Sequence, residues 1–236
     1  MHAVFCLVRS ALFALLFYTG TVLWVTAAGM VGALSDRAMQ PVVNGWGRFH
    51  RILCRVILGQ KIRILGTLPN EAALYVFKHE SMFETIDLLC LFHNPVPVAK
   101  QELIDIPGWG RIARQYGAIG LRRAEGAKAL RHLKGEVNKV RASGRPICLF
   151  PEGTRVPHGQ RPPILAGFAA LYQLMGLPVV PIAVDSGRLS PRNSFIKRPG
   201  LITYKVGDVI PAGLPRREAE ARVHAAINAL NDEPLT

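Results

Sequence analysis

A histidine and a glutamate five residues apart, His79 and Glu84, are the side chains of this sequence best placed for acid–base chemistry. A carboxylate bound to one imidazole nitrogen fixes the tautomer and stabilises the imidazolium, so that the other nitrogen can take a proton from a hydroxyl. On one continuous helix, residues five apart point about 140° away from each other and cannot meet. The pair therefore requires a loop at His79 and a helix that begins before Glu84.

The neighbouring residues predict that arrangement. The apolar run Leu74–Phe77 predicts a strand, and Ser81 followed three residues later by Glu84 is a capping-box pattern that predicts the start of a helix. Asp87 lies one helical turn beyond Glu84 on nearly the same face and is a reserve candidate for the acid that orients the imidazole. Spacing alone favours a plainer interpretation, in which Glu84 only caps the helix and His79 is a polar loop residue.

A second motif, Phe150–Arg155, follows another predicted strand. Gly153 permits a positive φ, Thr154 can form a hydrogen bond within its own turn, and the guanidinium of Arg155 matches the geometry of a phosphate. Further cations, Lys100 and Arg123, also stand near the ends of predicted strands. Taken singly, each of these patterns also occurs on ordinary solvated surface.

The elements that would position these residues alternate along the chain. Six short apolar runs predict strands, at Leu74–Phe77, Val96–Ala99, Ala118–Leu121, Ile147–Phe150, Val179–Val184 and Ile202–Val206. Helix-length segments separate or follow them, at Met82–His93, Pro107–Tyr116, Gly126–Ser143, Gly167–Gly176 and Arg216–Leu230. The alternation predicts an α/β fold with a mostly parallel or mixed central sheet flanked by helices.

The N-terminal region differs in composition from the rest. Ala11–Leu34 is 24 residues without a formal charge, and as a helix it would measure about 36 Å against a hydrocarbon core of about 30 Å. It could span a bilayer, enter one leaflet and turn back near Gly29, Gly32 or Ser35, or serve as a signal peptide cleaved after Ala27.

The following segment, from Val42 to Ile57, has apolar residues at spacings of three and four, with Arg48, Arg51 and Arg55 on another face. This predicts a basic amphipathic helix, lying either in the interface of an anionic membrane or against a core with one solvated face. We therefore predict membrane-associated N-terminal helices over residues 1–58 and a catalytic α/β domain over residues 59–236.

Composition narrows the possible functions. The 236 residues are 50% apolar and carry a formal net charge of +13, which excludes a disordered chain and indicates affinity for polyanionic surfaces. The four cysteines lack metal-ligand spacing, so no metal site is expected. The charge is not accompanied by a nucleic-acid-binding motif, so we expect no nucleic-acid partner.

Taken together, the motifs resemble those of the glycerolipid acyltransferases. That family shows a His-x4-Asp block, a Gly…Arg block, a Phe-Pro-Glu-Gly-Thr-Arg block and an apolar block with proline, in the order found here over about residues 60–210. The resemblance implies transfer of a fatty acyl group from acyl-CoA or acyl carrier protein to a lysophosphatidic acid hydroxyl, giving phosphatidic acid. It also implies N-terminal helices embedded in the membrane.

The resemblance implies a role for each motif residue. His79, oriented by Glu84, is expected to act as general base, and Arg155, Arg123 and Lys100 to hold the acceptor phosphate. Glu152 is expected to accept a hydrogen bond from the acceptor or to brace Arg155. No metal or cofactor is expected besides the acyl donor. The density of basic residues after residue 36 places the catalytic domain on the cytosolic face of the cell inner membrane.

Three positions depart from the family pattern. Glu84 replaces the family's aspartate, Arg122 stands where an aspartate is usual, and Leu165 stands where a lysine is common. The last two differences leave open another acceptor, such as a lyso-aminolipid, or an inactive membrane-peripheral lipid-binding protein. A secreted hydrolase, released by signal cleavage, is a further alternative.

Overall fold

The computed structural model describes residues 2–69, 71–121 and 127–232. Two long helices open the chain, α1 (His2–Leu34) and α2 (Asp36–Leu53). The chain reverses at Ser35, whose Oγ accepts a hydrogen bond from Ala38 N at 3.3 Å. Helix α1 begins earlier than the predicted apolar segment Ala11–Leu34. The chain turns back at Ser35, one of the positions at which the sequence predicted a reversal.

Helix α2 packs its apolar face against the protein. Trp46 Nε1 donates a hydrogen bond to Thr21 Oγ1 on α1 at 3.0 Å, and the Trp24 ring lies where a Cβ on Gly45 would be, 2.6 Å away. This close approach requires glycine. One face of α2 is therefore packed against the protein, and the opposite face, which carries Arg48, is exposed.

The outward face of α1 is apolar instead. By length and composition α1 could cross a membrane, with a mean hydropathy of 1.8 over its apolar window and only 22% of that window buried. Its exposed apolar side chains include Val4, Phe5, Val8, Leu15, Tyr18, Val22, Leu23, Met30 and Leu34. An exposed apolar surface of this extent favours membrane association.

The rest of the described chain is a seven-stranded sheet with helices on both faces. The strands are β1 (Gln60–Leu65), β2 (Leu74–Phe77), β3 (Val96–Lys100), β4 (Ile119–Leu121), β5 (Ile147–Leu149), β6 (Val179–Val184) and β7 (Gly200–Val206). The helices are α3 (Phe83–Leu91), α4 (Gln101–Ile104), α5 (Trp109–Tyr116), α6 (Ala127–Ala142), α7 (Ala166–Met175) and α8 (Arg216–Ile227).

The strand order is β1-β7-β6-β2-β5-β3-β4, and every pairing is parallel except that of β6 with β7. The fold is thus the predicted mostly parallel α/β class. Strand β1 was not predicted from the sequence, because Lys61 and Arg63 interrupt its apolar residues. This strand lies at the edge of the sheet and most of its positions are exposed.

Side chains of β2 alternate between two cores. Tyr75 and Phe77 pack with residues of α1, α2 and α3 on one face of the sheet, while Leu74 and Val76 pack with residues of α6, α7 and α8 on the other. The N-terminal helices therefore share a hydrophobic core with the sheet. A short π-helical turn, Cys54–Leu58, joins α2 to β1.

Candidate active site

The candidate site lies at the carboxyl edge of the sheet. The parallel strands β2, β5, β6 and β3 end at this edge, so the residues after them are neighbours although they are far apart in sequence. The segments after these strands begin with Lys78-His79, Phe150-Pro151, Asp185-Ser186 and Gln101, respectively.

The predicted pair is formed. His79 lies in the loop after β2, and its Nδ1 is 3.0 Å from Glu84 Oε1. Because a carboxylate can only accept, Nδ1 donates and Nε2 keeps a lone pair. The imidazole packs on the Phe150 ring at 4.3 Å and its side chain is 15% exposed. No described residue forms a hydrogen bond with Nε2, so this nitrogen is available to a substrate.

Glu84 is fully buried and receives hydrogen bonds on both carboxylate oxygens. Oε1 accepts from His79 Nδ1 and from the backbone N–H groups of Glu80 and Ser81, each at 2.7 Å. Oε2 accepts from the hydroxyls of Ser81 at 2.8 Å and Ser186 at 2.6 Å. Burial alone would raise the pKa of Glu84. The hydrogen bond from His79 and its charge, together with the hydrogen bonds from Ser186 and Ser81, outweigh this effect, so that the pKa is lowered below 4.5.

Glu84 thus serves both of the interpretations left open by the sequence. It accepts from Ser81 N as a capping-box glutamate does, while the Ser81 hydroxyl accepts from Phe83 N at 2.9 Å. The same carboxylate holds the imidazole. Capping fixes the carboxylate, and the fixed carboxylate fixes the orientation of His79.

Ser186 contributes to the site but was missed as a functional residue. It follows β6, is buried, and donates to Glu84 across 102 residues of sequence. Its position two residues after an apolar strand is the signal that could have identified it, since His79 stands two residues after β2.

Lys78 was missed as well. It is fully buried, and its Nζ donates to Glu152 Oε1 at 2.6 Å, to Asn228 Oδ1 at 2.8 Å and to the Gln160 carbonyl at 2.7 Å. The other oxygen of Glu152 accepts from His79 N at 2.8 Å. Glu152 therefore holds the His79 backbone, and none of its described contacts is with Arg155. A lysine directly after an all-apolar strand is the sequence signal for such a buried ion pair.

The Phe150–Arg155 loop folds back on the histidine. Val156 N donates to the His79 carbonyl at 2.7 Å, and Gly153 has the expected positive φ of 62°. Thr154 is exposed. Arg155 is half-buried, and its guanidinium has no carboxylate partner among the described residues, so it is free to bind an anion.

The other predicted residues have different placements. Lys100 ends β3, two strands from β2, or about 10 Å at 4.8 Å per strand. Arg123 lies outside the described residues. Asp87, the reserve acid, is buried and bonded to Arg51 Nε at 2.6 Å and Tyr204 OH at 3.0 Å. The structure therefore brings Glu84, not Asp87, to the imidazole.

A second histidine–carboxylate pair adjoins the first. His158 Nδ1 lies 3.0 Å and 3.2 Å from the two carboxylate oxygens of Glu80, which is buried. Glu80 Oε2 also accepts from Gly187 N at 2.8 Å. Burial raises the pKa of Glu80, although His158 opposes the shift. The pair ties the turn that carries Ser186 to the His79 loop.

An apolar cavity of about 170 Å³ lies between the N-terminal helices and the sheet. Its wall includes Thr85 and Ile86, next to Glu84 on α3. Other lining residues come from α1, α2, β3 and α5, namely Trp24, Val25, Ala28, Val43, Trp46, Ala99, Trp109, Ile112 and Ala113. A cavity of this character suits a hydrocarbon chain.

Comparison with known proteins agrees with this geometry. A protein family described as "Acyltransferase" matches residues 60–185. The chain is 32% identical over 228 residues to a 1-acyl-sn-glycerol-3-phosphate acyltransferase of Pseudomonas aeruginosa, covering 95% of this chain and 86% of that protein. A shorter match, 28% identical over 106 residues, is to a lyso-ornithine lipid O-acyltransferase of Rhizobium meliloti, covering 45% and 36%.

Among solved structures, the chain is similar to the 1-acyl-sn-glycerophosphate acyltransferase PlsC of Thermotoga maritima. The TM-score is 0.73, with 22% sequence identity, and the match covers 97% of this chain and 99% of that one. At this identity the likeness establishes the fold, including the N-terminal helical pair.

Proposed function

Because this chain belongs to the acyltransferase family, we propose that it transfers a fatty acyl group from a thioester donor to the free hydroxyl of 1-acyl-glycerol-3-phosphate, giving phosphatidic acid. The observation that carries the proposal is the 3.0 Å contact between His79 Nδ1 and the buried Glu84 carboxylate, with Nε2 left available. Acyl-CoA and acyl carrier protein are both suitable donors, and the reaction uses no metal or further cofactor.

In the proposed mechanism, His79 Nε2 removes the proton from the acceptor hydroxyl as its oxygen attacks the thioester carbonyl carbon. Glu84 stabilises the imidazolium that results, because its ionised form is favoured in the folded protein. The carbon–sulfur bond then breaks, and the imidazolium returns the proton to the departing thiolate. The products are the ester and a free thiol.

The acceptor carries a phosphate, and the site offers cations without carboxylate partners in the described structure. Arg155 lies on the loop bonded to the His79 carbonyl. We assign acceptor phosphate binding to Arg155, with Lys100 and Arg123 as further candidates. Gly153 and Thr154 shape the loop that presents Arg155. Glu152 accepts a hydrogen bond from the backbone N–H of His79 and so fixes the position of the histidine that this loop contacts.

The apolar cavity beside α3 receives an acyl chain in this scheme. Its wall is built partly from α1 and α2, so a chain that lies in the cavity remains next to the apolar surface of α1. We place the enzyme at the cell inner membrane with the sheet on the cytosolic side, because all but one of the 29 lysines and arginines follow Ser35.

A second acceptor class has one observation in its favour. The match to a lyso-ornithine lipid O-acyltransferase covers less than half of this chain, whereas the match to the glycerolipid enzyme of Pseudomonas aeruginosa covers nearly all of it. The phosphate-bearing acceptor is therefore the primary proposal, and the aminolipid acceptor is the alternative.

A panel of lysolipid acceptors with one labelled acyl donor tests the proposal. Wild-type protein is expected to acylate lysophosphatidic acid in preference to lyso-ornithine lipid. His79→Ala should lower kcat by about 10²-fold or more, the scale of general-base catalysis, while its binding to vesicles is unchanged.

Preference for the aminolipid would support the alternative acceptor. Near-wild-type turnover by His79→Ala would contradict the role of His79 as base. If purified wild-type protein releases no thiol from acyl-CoA with any acceptor in the panel, this contradicts activity with acyl-CoA as donor. The same panel would then be assayed with acyl carrier protein thioesters.

A further inference from the structure

Glu80, the residue after the proposed base, is a buried carboxylate to which the proposed mechanism gives no task. Its oxygens lie 3.0 Å and 3.2 Å from His158 Nδ1, and Oε2 also accepts a hydrogen bond from Gly187 N at 2.8 Å. These contacts join the loop after β2 to the loop after β5 and to the turn after β6.

The turn held by Glu80 carries the hydroxyl that binds the orienting acid. Ser186 directly precedes Gly187, and its Oγ donates to Glu84 Oε2 at 2.6 Å. The backbone N–H of Glu80 donates to the other oxygen of Glu84 at 2.7 Å. Glu80 is therefore connected to both oxygens of Glu84, directly through its own backbone and indirectly through the turn that its side chain holds.

The contact between Glu80 and this turn is close enough to require glycine at position 187. A Cβ on Gly187 would lie 2.9 Å from Glu80 Cβ and 2.9 Å from Glu80 Oε2. The carboxylate oxygen ends a rotatable side chain, but Glu80 Cβ moves only with the backbone that follows His79. A larger residue at position 187 would therefore displace either the turn or the His79 loop.

His158 keeps the Glu80 carboxylate in place. Because a carboxylate can only accept, His158 Nδ1 donates, and its N–H lies within reach of both oxygens. His158 belongs to the loop that also contacts the proposed base, since Val156 N donates to the His79 carbonyl at 2.7 Å. The imidazole thus fixes Glu80 from the side opposite to its contact with the backbone of the turn.

We propose that Glu80 is a positioning residue for acyl transfer, whose carboxylate holds the turn after β6 so that the Ser186 hydroxyl reaches Glu84 and Glu84 orients His79. This inference rests on the proposed function. The Glu80 side chain acts through the orientation of the imidazole, so its loss lowers kcat and leaves substrate affinity unchanged. The turn requires the length of this side chain, which brings an acceptor oxygen to Gly187 N.

Two substitutions of Glu80 separate length from charge. Glu80→Asp keeps the charge but is one methylene too short to contact both His158 and Gly187, so kcat should fall about tenfold, the scale of one hydrogen bond to a charged group. Both KM values should stay unchanged. Glu80→Gln keeps an oxygen within reach of Gly187 N and should retain nearly wild-type kcat. The control Glu71→Asp makes the same change at an exposed position before β2 and should leave kcat unchanged.

A double-mutant cycle tests the route through Ser186. Ser186→Ala alone should lower kcat by a factor similar to that of Glu80→Asp, and the combined variant should show no further loss, because both changes break the same connection. Independent, multiplying losses would overturn the proposal. A rise in KM, or a Glu80→Gln variant as slow as Glu80→Asp, would overturn it as well.

Gly187→Ala tests the same contact if Glu80→Asp fails to fold. The added methyl group displaces Glu80 from the turn, so kcat should fall while both KM values stay unchanged. The matched control is Gly135→Ala on α6, where a Cβ would meet nothing within 4 Å. Equal kcat values for these two variants would contradict the positioning role.

The ring-nitrogen chemical shifts of His79, assigned with His79→Gln, supply a readout that needs no turnover. They report which ring nitrogen carries the proton, and Glu80→Asp should change them as Ser186→Ala does, whereas Glu71→Asp should not. Unchanged shifts in Glu80→Asp would overturn the proposal. Failure of wild-type acylation would instead count against the proposed function.

Discussion

At the scale of single residues, the site depends on one carboxylate with two tasks. Glu84 accepts from Ser81 N at the start of α3 and from His79 Nδ1 at the reacting imidazole. It is fully buried, and the Ser186 hydroxyl holds its other oxygen. Loss of the Glu84 charge is therefore expected to affect both catalysis and folding. Substitution of Asp87, a nearby buried carboxylate that does not contact His79, separates these two effects.

Glu84→Gln and Asp87→Asn should differ in kind. Glu84→Gln is expected to lower kcat by about 10²-fold or more, because the imidazolium loses its stabilising charge. Asp87→Asn should leave kcat within a few-fold of wild type and lower the melting temperature, since Asp87 bonds Arg51 and Tyr204. Equal kinetic effects of the two substitutions would contradict the assignment of Glu84.

The pH dependence of stability should report Glu84 directly. Its folded-state pKa lies below 4.5, so its ionised form adds stability that is present above pH 4.5 and is lost as the pH falls through the folded value. Glu80 and Asp87 have raised pKa values, mainly through burial, and their contribution has the opposite sign.

Urea unfolding in detergent at several pH values measures this effect. The gap in unfolding free energy between wild type and Glu84→Gln should be largest near neutral pH and should narrow below about pH 4.5. A gap that is constant, or that widens towards acid, would show that the Glu84 charge does not stabilise the fold.

At the scale of secondary-structure elements, buried Lys78 ties β2 to the loop after β5 and to the end of α8. Its three acceptors belong to Glu152, Gln160 and Asn228. Since Glu152 also holds the His79 backbone, this ion pair connects the stability of the domain to the position of the base.

Lys78→Met should destabilise the protein by about 3–5 kcal/mol, because the Glu152 charge is left buried without a partner. Adding Glu152→Gln should recover part of the loss, since the two residues are coupled. The control is Lys139→Met, which breaks an exposed pair with Glu136 and should change stability by less than about 1 kcal/mol. Equal losses of stability in Lys78→Met and Lys139→Met, measured by thermal unfolding, would contradict a stabilising role of the Lys78–Glu152 ion pair.

Local sequence patterns predicted the elements that carry their own signal. The apolar runs located β2 to β7, and the capping box located the start of α3, as the structure confirms. Contacts made across long stretches of sequence have no such pattern. Ser186 reaches Glu84 across 102 residues, and Lys78 reaches Asn228 across 150, so these partners emerged only from the folded chain.

At the scale of the whole molecule, the N-terminal helices and the sheet form one packed body. Helix α2 contacts α1 through Trp46 and contacts α3 through the Arg51–Asp87 pair. The face of α1 that points outward is the apolar one. The exposed apolar surface, on which the proposed membrane association rests, therefore belongs to the folded enzyme and is carried by α1.

Leu23→Lys should weaken membrane retention. Leu23 is 73% exposed on α1, so the fold should tolerate the change, whereas a lysine facing the middle of the hydrocarbon costs about 2.5–3.5 kcal/mol on insertion scales. Flotation with vesicles measures the bound fraction. Ala142→Lys adds the same charge at an exposed position of α6 and should remain bound; equal retention of both variants would contradict lipid contact by this face.

The cavity wall formed by Trp24, Val25 and Ala28 has a consequence for engineering. Since α1 encloses part of the space assigned to an acyl chain, it is not an interchangeable tether. A chimaera that exchanges α1 for an unrelated hydrophobic anchor would still bind the membrane, but the apolar cavity would lose the wall that α1 provides. Helix α1 therefore has two roles that cannot be exchanged separately, since it provides the membrane anchor and also part of the cavity wall.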